Sequence, residues 1–207
     1  MLTTKTVNEF LDEVASNAPA PGGGSVSALA GSLGAALTSM VCRLTIGKKK
    51  YADVQSEMES VLTESEELRA KLTSIIEEDT LAFNKVMSAF GMAKETDEQK
   101  TKRTEAIQEA TKTATLVPLK LMRLCQDGIA LAVTVAEKGN KNSVSDAGVS
   151  LLLLQAAAKG AALNVRINLS GLEDRTFCDD VSKQVESSTK GIESRVDEAL
   201  SNLTATL

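Results

Sequence analysis

The side chains of this chain that could do acid–base chemistry are carboxylates, lysines, three cysteines and one tyrosine. The 207 residues include no histidine. Ser-His-Asp and Cys-His nucleophilic sites are therefore excluded, and proton transfer falls to a carboxylate, Lys, Cys, Tyr or water. A zinc site of the usual His/Cys kind is disfavoured for the same reason. Four short segments hold the remaining candidate residues.

The first segment is an acidic triplet, Glu77-Glu78-Asp79, in a long helical pattern beside Ala82 and Phe83. Charged residues on a long helix usually form a solvated face, which is the plain alternative here. The three carboxylates span too wide an arc for all to reach water if the apolar neighbours are buried. We therefore predict that one carboxylate faces the interior, where burial raises its pKa.

The second segment is a glycine run, Gly22-Gly23-Gly24, followed by Ser25 at the start of a predicted helix. Backbone N–H groups at a helix start can approach an anion closely. No strand precedes the run, and neither GK[ST] nor GxGxxG spacing is present, so nucleotide binding of those two types is disfavoured. A flexible turn between two helices remains the alternative.

The third and fourth segments lie at other helix ends. Lys48, Lys49 and Lys50 follow the same helix, and they could hold an acidic substrate or only complement the helix dipole. Gly139-Asn140, with Ser145-Asp146, opens a later apolar helix, and these residues could line a pocket or only cap that helix.

The elements that position these segments are predicted to be helices throughout. Aromatic residues make up only 2% of the chain, so the core must be Leu, Val, Ile, Met and Ala, which favours helices over a sheet. Helical periodicity predicts an all-α, up-and-down bundle of about six helices in a single domain, 1–207. Pro118 lies inside one helical pattern and should kink or divide it. Capping-box spacing predicts four helix starts, at Thr6/Glu9, Thr96/Gln99, Ser143/Asp146 and Ser170/Glu173.

The helix after the glycine run carries two apolar stripes. One is small (Ser25, Ala28, Ser32, Ala35, Ser39, Cys42) and the other is larger (Val26, Leu29, Leu33, Leu37, Met40, Leu44). We predict that this helix is buried on all sides, and that the apolar helix 147–167 is buried in the same way and packs against it. The small stripe could face another helix or its own copy, and a self-complementary seam suits a two-fold interface.

Composition limits partners and location. The net charge of −5 argues against nucleic-acid binding. Cys42, Cys125 and Cys178 form no CxxC, which fits a reducing compartment, and residues 1–10 lack the apolar region of a signal peptide. We expect a cytoplasmic protein. Segment 25–44 is rich in Gly, Ser and Ala, which favours a buried helix over a membrane span.

Several separated segments together resemble the cyclodeaminase/cyclohydrolase family of folate enzymes. They are PAPGGGSVSALAGSLGAALTSMV, TIGKKKY, EDTLAF, GN…SDAGV and NVRINL, and the resemblance covers about 7–203. It implies a helical bundle that forms a homodimer and acts on the one-carbon unit of tetrahydrofolate without a metal or another cofactor. The cyclohydrolase adds water to 5,10-methenyltetrahydrofolate and gives 10-formyltetrahydrofolate. The cyclodeaminase closes 5-formiminotetrahydrofolate to the methenyl compound and releases ammonia.

The resemblance also implies residue roles. Asp79 matches the catalytic aspartate of the family's DxxAF motif and is expected to move the proton. Lys48 and Lys49 match a basic pair and are expected to hold the glutamate tail of the folate. The other residues expected to line the pocket are Gly22, Gly23, Gly24, Ser25, Asn140, Ser145, Asp146, Asn164 and Asn168. No formiminotransferase domain is present in the chain, which places the cyclohydrolase first, with a non-catalytic helical dimer as a further alternative.

Overall fold

The computed structural model describes residues 1–205, which form six α-helices and three short 3-10 turns, with no strand among them. The helices are α1 (Val7–Val14), α2 (Gly23–Thr45), α3 (Gln55–Phe90), α4 (Asp97–Lys138), α5 (Val144–Leu169) and α6 (Arg175–Thr204). The prediction of an all-α bundle of about six helices is confirmed. Of the single domain predicted over 1–207, the last two residues lie outside the described part.

Helices α2 to α5 run alternately up and down and form a four-helix core, and α6 packs against α4 and α5. The antiparallel pairing of α2 with α3 is visible in two contacts, in which the later residue of α2 meets the earlier residue of α3. Ser25 Oγ lies 2.9 Å from the Ile76 carbonyl oxygen, and Ser39 Oγ lies 2.8 Å from Ser65 Oγ. At about 1.5 Å per residue, α2 is about 34 Å long. The two ends of α2 therefore lie at opposite ends of the bundle.

The small stripe of α2 faces α3 of the same chain, which resolves the alternative left open by the sequence. Its hydroxyl groups pair with hydroxyl and carbonyl groups of α3, as in the 2.7 Å contact between Ser32 Oγ and Thr73 Oγ1. The prediction that α2 and α5 are buried on all sides is wrong. Leu33 of α2 is 51% exposed and Leu163 of α5 is 64% exposed. Each of these helices has packed neighbours on one side only, which leaves part of its larger apolar surface uncovered in the single chain.

Helix starts agree with the sequence in part. The capping boxes at Thr6 and Thr96 are present. Ser143 is the N-cap residue of α5 but makes no side-chain capping hydrogen bond. The last helix begins after Asp174, whose carboxylate accepts the capping N–H, and not after Ser170. Ser170 cannot start this helix because it is the C-cap residue of α5, where its N–H donates to the Arg166 carbonyl.

Pro118 was predicted to kink or divide its helix. Helix α4 continues through Pro118, so the helix is not divided, and the kink stays a prediction. Proline has no N–H and leaves the carbonyl of Ala114, four residues earlier, without its helical donor. The side-chain amide of Asn168 on α5 donates to that carbonyl at 3.1 Å. The neighbouring helix thus supplies the missing donor, and the helix can pass through the proline.

By length and composition alone, Gly23–Thr45 and Lys141–Leu169 could cross a membrane, with mean hydropathies of 1.5 and 1.3. Within the bundle, 56% and 50% of these stretches are buried. Core helices of soluble proteins meet the same criterion, so the finding carries little weight.

Candidate functional site

A cavity of about 320 Å³ lies where the start of α2, the middle of α3 and the last turns of α5 meet. Its wall is largely apolar and includes Ala82, Phe83 and Val86 of α3. Asp79 is the only ionisable side chain among the described residues that line it. The remaining lining residues are Pro19, Ala20, Gly22, Gly23, Gly24, Ala114, Asn164, Ile167 and Asn168. The volume suits a small organic ligand or part of a larger one.

Asp79 takes the place of the capping side chain that α2 lacks. The N-cap residue of α2 is Gly22, which has no side chain to accept a hydrogen bond. The carboxylate of Asp79 instead accepts from Ser25 Oγ at 3.0 Å and interacts with the backbone N–H of Ser25. Burial raises the pKa of Asp79 above its ordinary value, and the two interactions with Ser25 oppose this shift only in part. The prediction that one carboxylate of the acidic triplet faces the interior is confirmed.

The other two carboxylates of the triplet point elsewhere. Glu77 accepts from the backbone N–H of Thr3 at 3.0 Å, and Glu78 forms a salt bridge with Lys120 at 2.9 Å. Asp79 is therefore the member of the triplet that is available for chemistry in the cavity.

Gly24 is required by the position of the Asp79 carboxylate. A Cβ built on Gly24 would overlap the carboxylate and would lie only 2.6 Å from its Oδ2 atom. Gly23 is different, because its Cβ would meet only the side chain of Asn164, at an ordinary 3.5 Å. The glycine run thus has an identifiable purpose, which is to let a carboxylate from α3 lie directly against the start of α2.

Ser25 contacts the carboxylate and is not part of the cavity wall. The residue is completely buried, and its hydroxyl lies within 3.2 Å of Ile76 O, Asp79 Oδ2 and Thr80 Oγ1. Its predicted contact with a substrate stays a prediction, and its observed contacts hold Asp79 in place.

Asn164 and Asn168 lie one helical turn apart on α5 and line the cavity opposite Asp79. Their amide nitrogens donate to the carbonyls of Gly160 and Ala114, at 2.8 and 3.1 Å. These bonds fix both side chains, and they leave the amide oxygens as the groups that can accept a hydrogen bond from a ligand. The site therefore combines a carboxylate of raised pKa with two fixed hydrogen-bond acceptors in a largely apolar wall.

The family described as formiminotransferase-cyclodeaminase matches residues 6–187. The chain belongs to this family. It is 52% identical over 186 residues to the methenyltetrahydrofolate cyclohydrolase of Methylorubrum extorquens, covering 90% of this chain and 89% of that protein.

Two further relatives agree with this membership. The formimidoyltransferase-cyclodeaminase of Rattus norvegicus is 34% identical over 90% of this chain, which spans only 34% of that longer protein. The crystal structure of formiminotetrahydrofolate cyclodeaminase from Thermotoga maritima superposes with a TM-score of 0.84 at 33% identity, covering 99% of this chain and 100% of that one.

Five of the residues predicted for the site lie toward the other end of α2, a helix about 34 Å long. They are Lys48, Lys49, Asn140, Ser145 and Asp146. Asn140 is almost fully buried there and donates to the Leu44 carbonyl at 2.9 Å, while its side-chain oxygen accepts from the Asn142 N–H at 3.1 Å. The single chain does not bring these five residues to Asp79, and their contact with a substrate stays a prediction.

Some lining residues of the cavity were not among the predicted site residues. Phe83 and Val86 follow Asp79 at four and seven positions, so helical spacing from the candidate aspartate places them on the same face. Ala114 precedes Pro118 by four positions, and a carbonyl freed in this way seeks a donor on a neighbouring helix. Pro19 and Ala20 reach the cavity by a loop path that no periodic pattern describes.

Proposed function

We propose that this protein hydrolyses 5,10-methenyltetrahydrofolate to 10-formyltetrahydrofolate. The main support for this proposal is the 52% identity to a methenyltetrahydrofolate cyclohydrolase along about nine-tenths of both chains, 90% of this one and 89% of that one. The cavity supports the proposal, because it offers one carboxylate with a raised pKa and two fixed amide acceptors. Such groups suit proton transfer to and from oxygen and nitrogen atoms.

In the proposed reaction, the methenyl carbon bridges two nitrogens that share a positive charge. Water adds to this carbon, and Asp79 accepts the proton that the water loses. The neutral tetrahedral carbon then breaks its bond to N5, which receives the proton held by Asp79. Loss of the hydroxyl proton to solvent leaves the formyl group on N10. Asn164 or Asn168 accepts a hydrogen bond from the attacking water and fixes its direction.

The cyclodeaminase reaction is the second candidate, because the Thermotoga cyclodeaminase shares the fold over the full chain at 33% identity. The same carboxylate would deliver a proton to the departing ammonia as the ring closes. Absorbance of the methenyl compound separates the two reactions. Its disappearance in buffer without ammonia supports the hydrolase, and its formation from the formimino compound with release of ammonia supports the deaminase. If the protein shows neither activity at saturating folate, both reactions are refuted and the non-catalytic helical dimer remains.

The test of the site compares Asp79→Asn with Glu77→Gln. Loss of the proton-transferring group is expected to lower kcat by about 10²–10⁴-fold, while asparagine can still cap α2 and keep the chain folded. Glu77→Gln removes a neighbouring carboxylate that faces away from the cavity and is expected to keep wild-type turnover. Wild-type turnover by a folded Asp79→Asn variant would remove Asp79 from the mechanism.

The proposal includes a homodimer in the cytoplasm that works without a metal or another cofactor and binds neither nucleic acid nor membrane. The uncovered apolar surface of α2 and α5 supports a second copy as the partner. The three cysteines are buried and free, in keeping with a reducing compartment.

A further inference from the structure

Two asparagines of α5 line the cavity, and their side-chain amides are held in different ways. Asn164 Nδ2 donates to the Gly160 carbonyl at 2.8 Å, and Asn168 Nδ2 donates to the Ala114 carbonyl at 3.1 Å. Gly160 lies four positions before Asn164 in the same helix, so its carbonyl also accepts the backbone N–H of Asn164. The Ala114 carbonyl has no such donor, because residue 118 is a proline. The bond made by Asn168 is thus needed by its acceptor, whereas the bond made by Asn164 is not.

The missing backbone donor determines which end of the Asn168 amide faces the cavity. Ala114 is buried, and a buried carbonyl without a donor is costly. If the amide turned over, its oxygen would face the Ala114 carbonyl oxygen, and two acceptors cannot bond to each other. The NH2 group of Asn168 therefore points to α4, and its Oδ1 atom is the end that is left for a ligand.

The Asn164 amide can take either orientation. The Gly160 carbonyl keeps its backbone donor when the side chain turns away, so the rotation leaves no buried acceptor without a partner. Gly23, which lies beside this amide, carries no side chain that would hinder the rotation. Asn164 can therefore donate a hydrogen bond to a ligand or accept one from it, whereas Asn168 can only accept.

The proposed hydrolysis, on which this argument rests, needs a fixed acceptor in the cavity. The attacking water gives one proton to Asp79 and directs a lone pair at the methenyl carbon, so its second hydrogen needs an acceptor. The Oδ1 atom of Asn168 supplies this acceptor. An amide that had turned over would donate to the water instead, and it would occupy a lone pair that the water needs for the attack.

We infer that Asn168 directs the attacking water, and that Pro118 is the positioning residue that fixes the Asn168 amide by withholding a backbone donor from the Ala114 carbonyl. Pro118 is buried and is not among the described residues that line the cavity, so it acts only through Asn168. A proline in the interior of a long helix thereby gains a role in the reaction, and Asn164 is left to bind the rest of the ligand.

Hydrogen exchange of the side-chain amides tests the orientation without any substrate. In isotope-labelled protein, the NMR signals of the two NH2 groups are identified by their loss in Asn168→Ala and Asn164→Ala. The NH2 group of Asn168 should exchange with water more slowly than that of Asn164. In Pro118→Ala, where residue 118 again donates to the Ala114 carbonyl, its exchange should become about two- to tenfold faster, which is the factor that one neutral hydrogen bond contributes. Equal exchange in wild type and Pro118→Ala would overturn the role of the proline.

Turnover tests whether the orientation matters for the reaction. Asn168→Ala is expected to lower kcat about 100-fold, because the water loses its direction. Pro118→Ala should lower kcat about two- to tenfold with an unchanged KM, because the amide is less firmly held. In the Asn168→Ala chain, Pro118→Ala should not lower kcat further, since no amide remains to be positioned. The double variant also restores a donor to the Ala114 carbonyl, so it can be assayed even if Asn168→Ala alone does not fold.

Thr113→Ala is the matched control for the proline. Thr113 is an exposed residue in the same turn of α4, and alanine there improves helix propensity without a new donor for the Ala114 carbonyl, so wild-type kcat is expected. Three kinetic outcomes would overturn the inference. They are a kcat of Pro118→Ala equal to that of Thr113→Ala, an equal effect of Pro118→Ala with and without Asn168, and a larger loss of kcat in Asn164→Ala than in Asn168→Ala. A wild-type protein inactive on both folates would refute the proposed function, and the exchange measurement would still decide the orientation of the amide.

Discussion

Replacing Gly24 with alanine tests the central geometric claim, that the Asp79 carboxylate lies directly against the start of α2. The added Cβ would lie 2.5 Å from Asp79 Cγ and 2.6 Å from Oδ2, and real Cβ contacts stay beyond 3.0 Å. The carboxylate must retreat by about 1 Å, and a misplacement of that size costs on the order of 100-fold in rate. We therefore expect kcat of Gly24→Ala to fall by about two orders of magnitude.

Gly23→Ala is the matched control for this change. It alters the neighbouring residue of the same helical turn, but its Cβ would make only an ordinary 3.5 Å contact with Asn164. Alanine also favours helix over glycine by up to about 1 kcal/mol, so both variants are expected to fold. The assay is the loss of methenyl absorbance under saturating substrate, with circular dichroism as the check of folding. A Gly24→Ala variant within threefold of Gly23→Ala in kcat would refute the placement of the carboxylate.

Three further predictions concern packing, the proline and pH. Gly34→Ala should lower the free energy of unfolding by roughly 1–3 kcal/mol, because its Cβ would lie 2.8 Å from Leu154 of α5. Gly191→Ala is the control, because its Cβ meets no described atom within 4 Å, and it should raise the free energy of unfolding by up to about 1 kcal/mol. Urea denaturation measures both. Asn168→Ala should lower the free energy of unfolding by about 1–3 kcal/mol in the wild-type chain, and by clearly less in a Pro118→Ala chain, where residue 118 again donates to the Ala114 carbonyl. A double-mutant cycle that shows no coupling between the two positions would contradict this. The raised pKa of Asp79 means that the native state keeps this proton to higher pH than the unfolded chain. As the pH rises above about 3.8, the ordinary pKa of an aspartate, the free energy of unfolding of the wild type should therefore fall relative to that of Asp79→Asn. The opposite trend would contradict a raised pKa for Asp79.

The fold was largely predictable because the helical signals are local. Periodicity identified the helices, and the capping boxes at Thr6 and Thr96 fixed two starts. Of the kink or division predicted at Pro118, the division does not occur, because the replacement donor, the side-chain amide of Asn168, comes from a helix fifty residues later. A local pattern can show that a carbonyl lacks a donor, but only the tertiary structure shows which group replaces it.

The distribution of stripes on α2 was predictable only in part, for a related reason. Composition separates small from large residues, yet it does not say which set faces the chain and which faces outward. The structure places the small set against α3, where hydroxyl pairs such as Ser39 with Ser65 bring the two backbones close. The larger set is left uncovered, with Leu33 half exposed. Close backbone approach within a chain needs small residues, whereas association between copies gains most from large apolar groups.

On the proposed function, the charge of the substrate sets the proton affinity of Asp79 at each step. Burial raises the pKa of Asp79 because the ionised form is poorly solvated. Binding of the cationic methenyl group places a positive charge beside the carboxylate and lowers its pKa, so the group is ionised when a base is needed. Addition of water neutralises that carbon, the favourable charge disappears, and the pKa rises again while Asp79 holds the proton. The carboxylate is then an acid when N5 must be protonated, so one buried aspartate can act in both steps without a histidine.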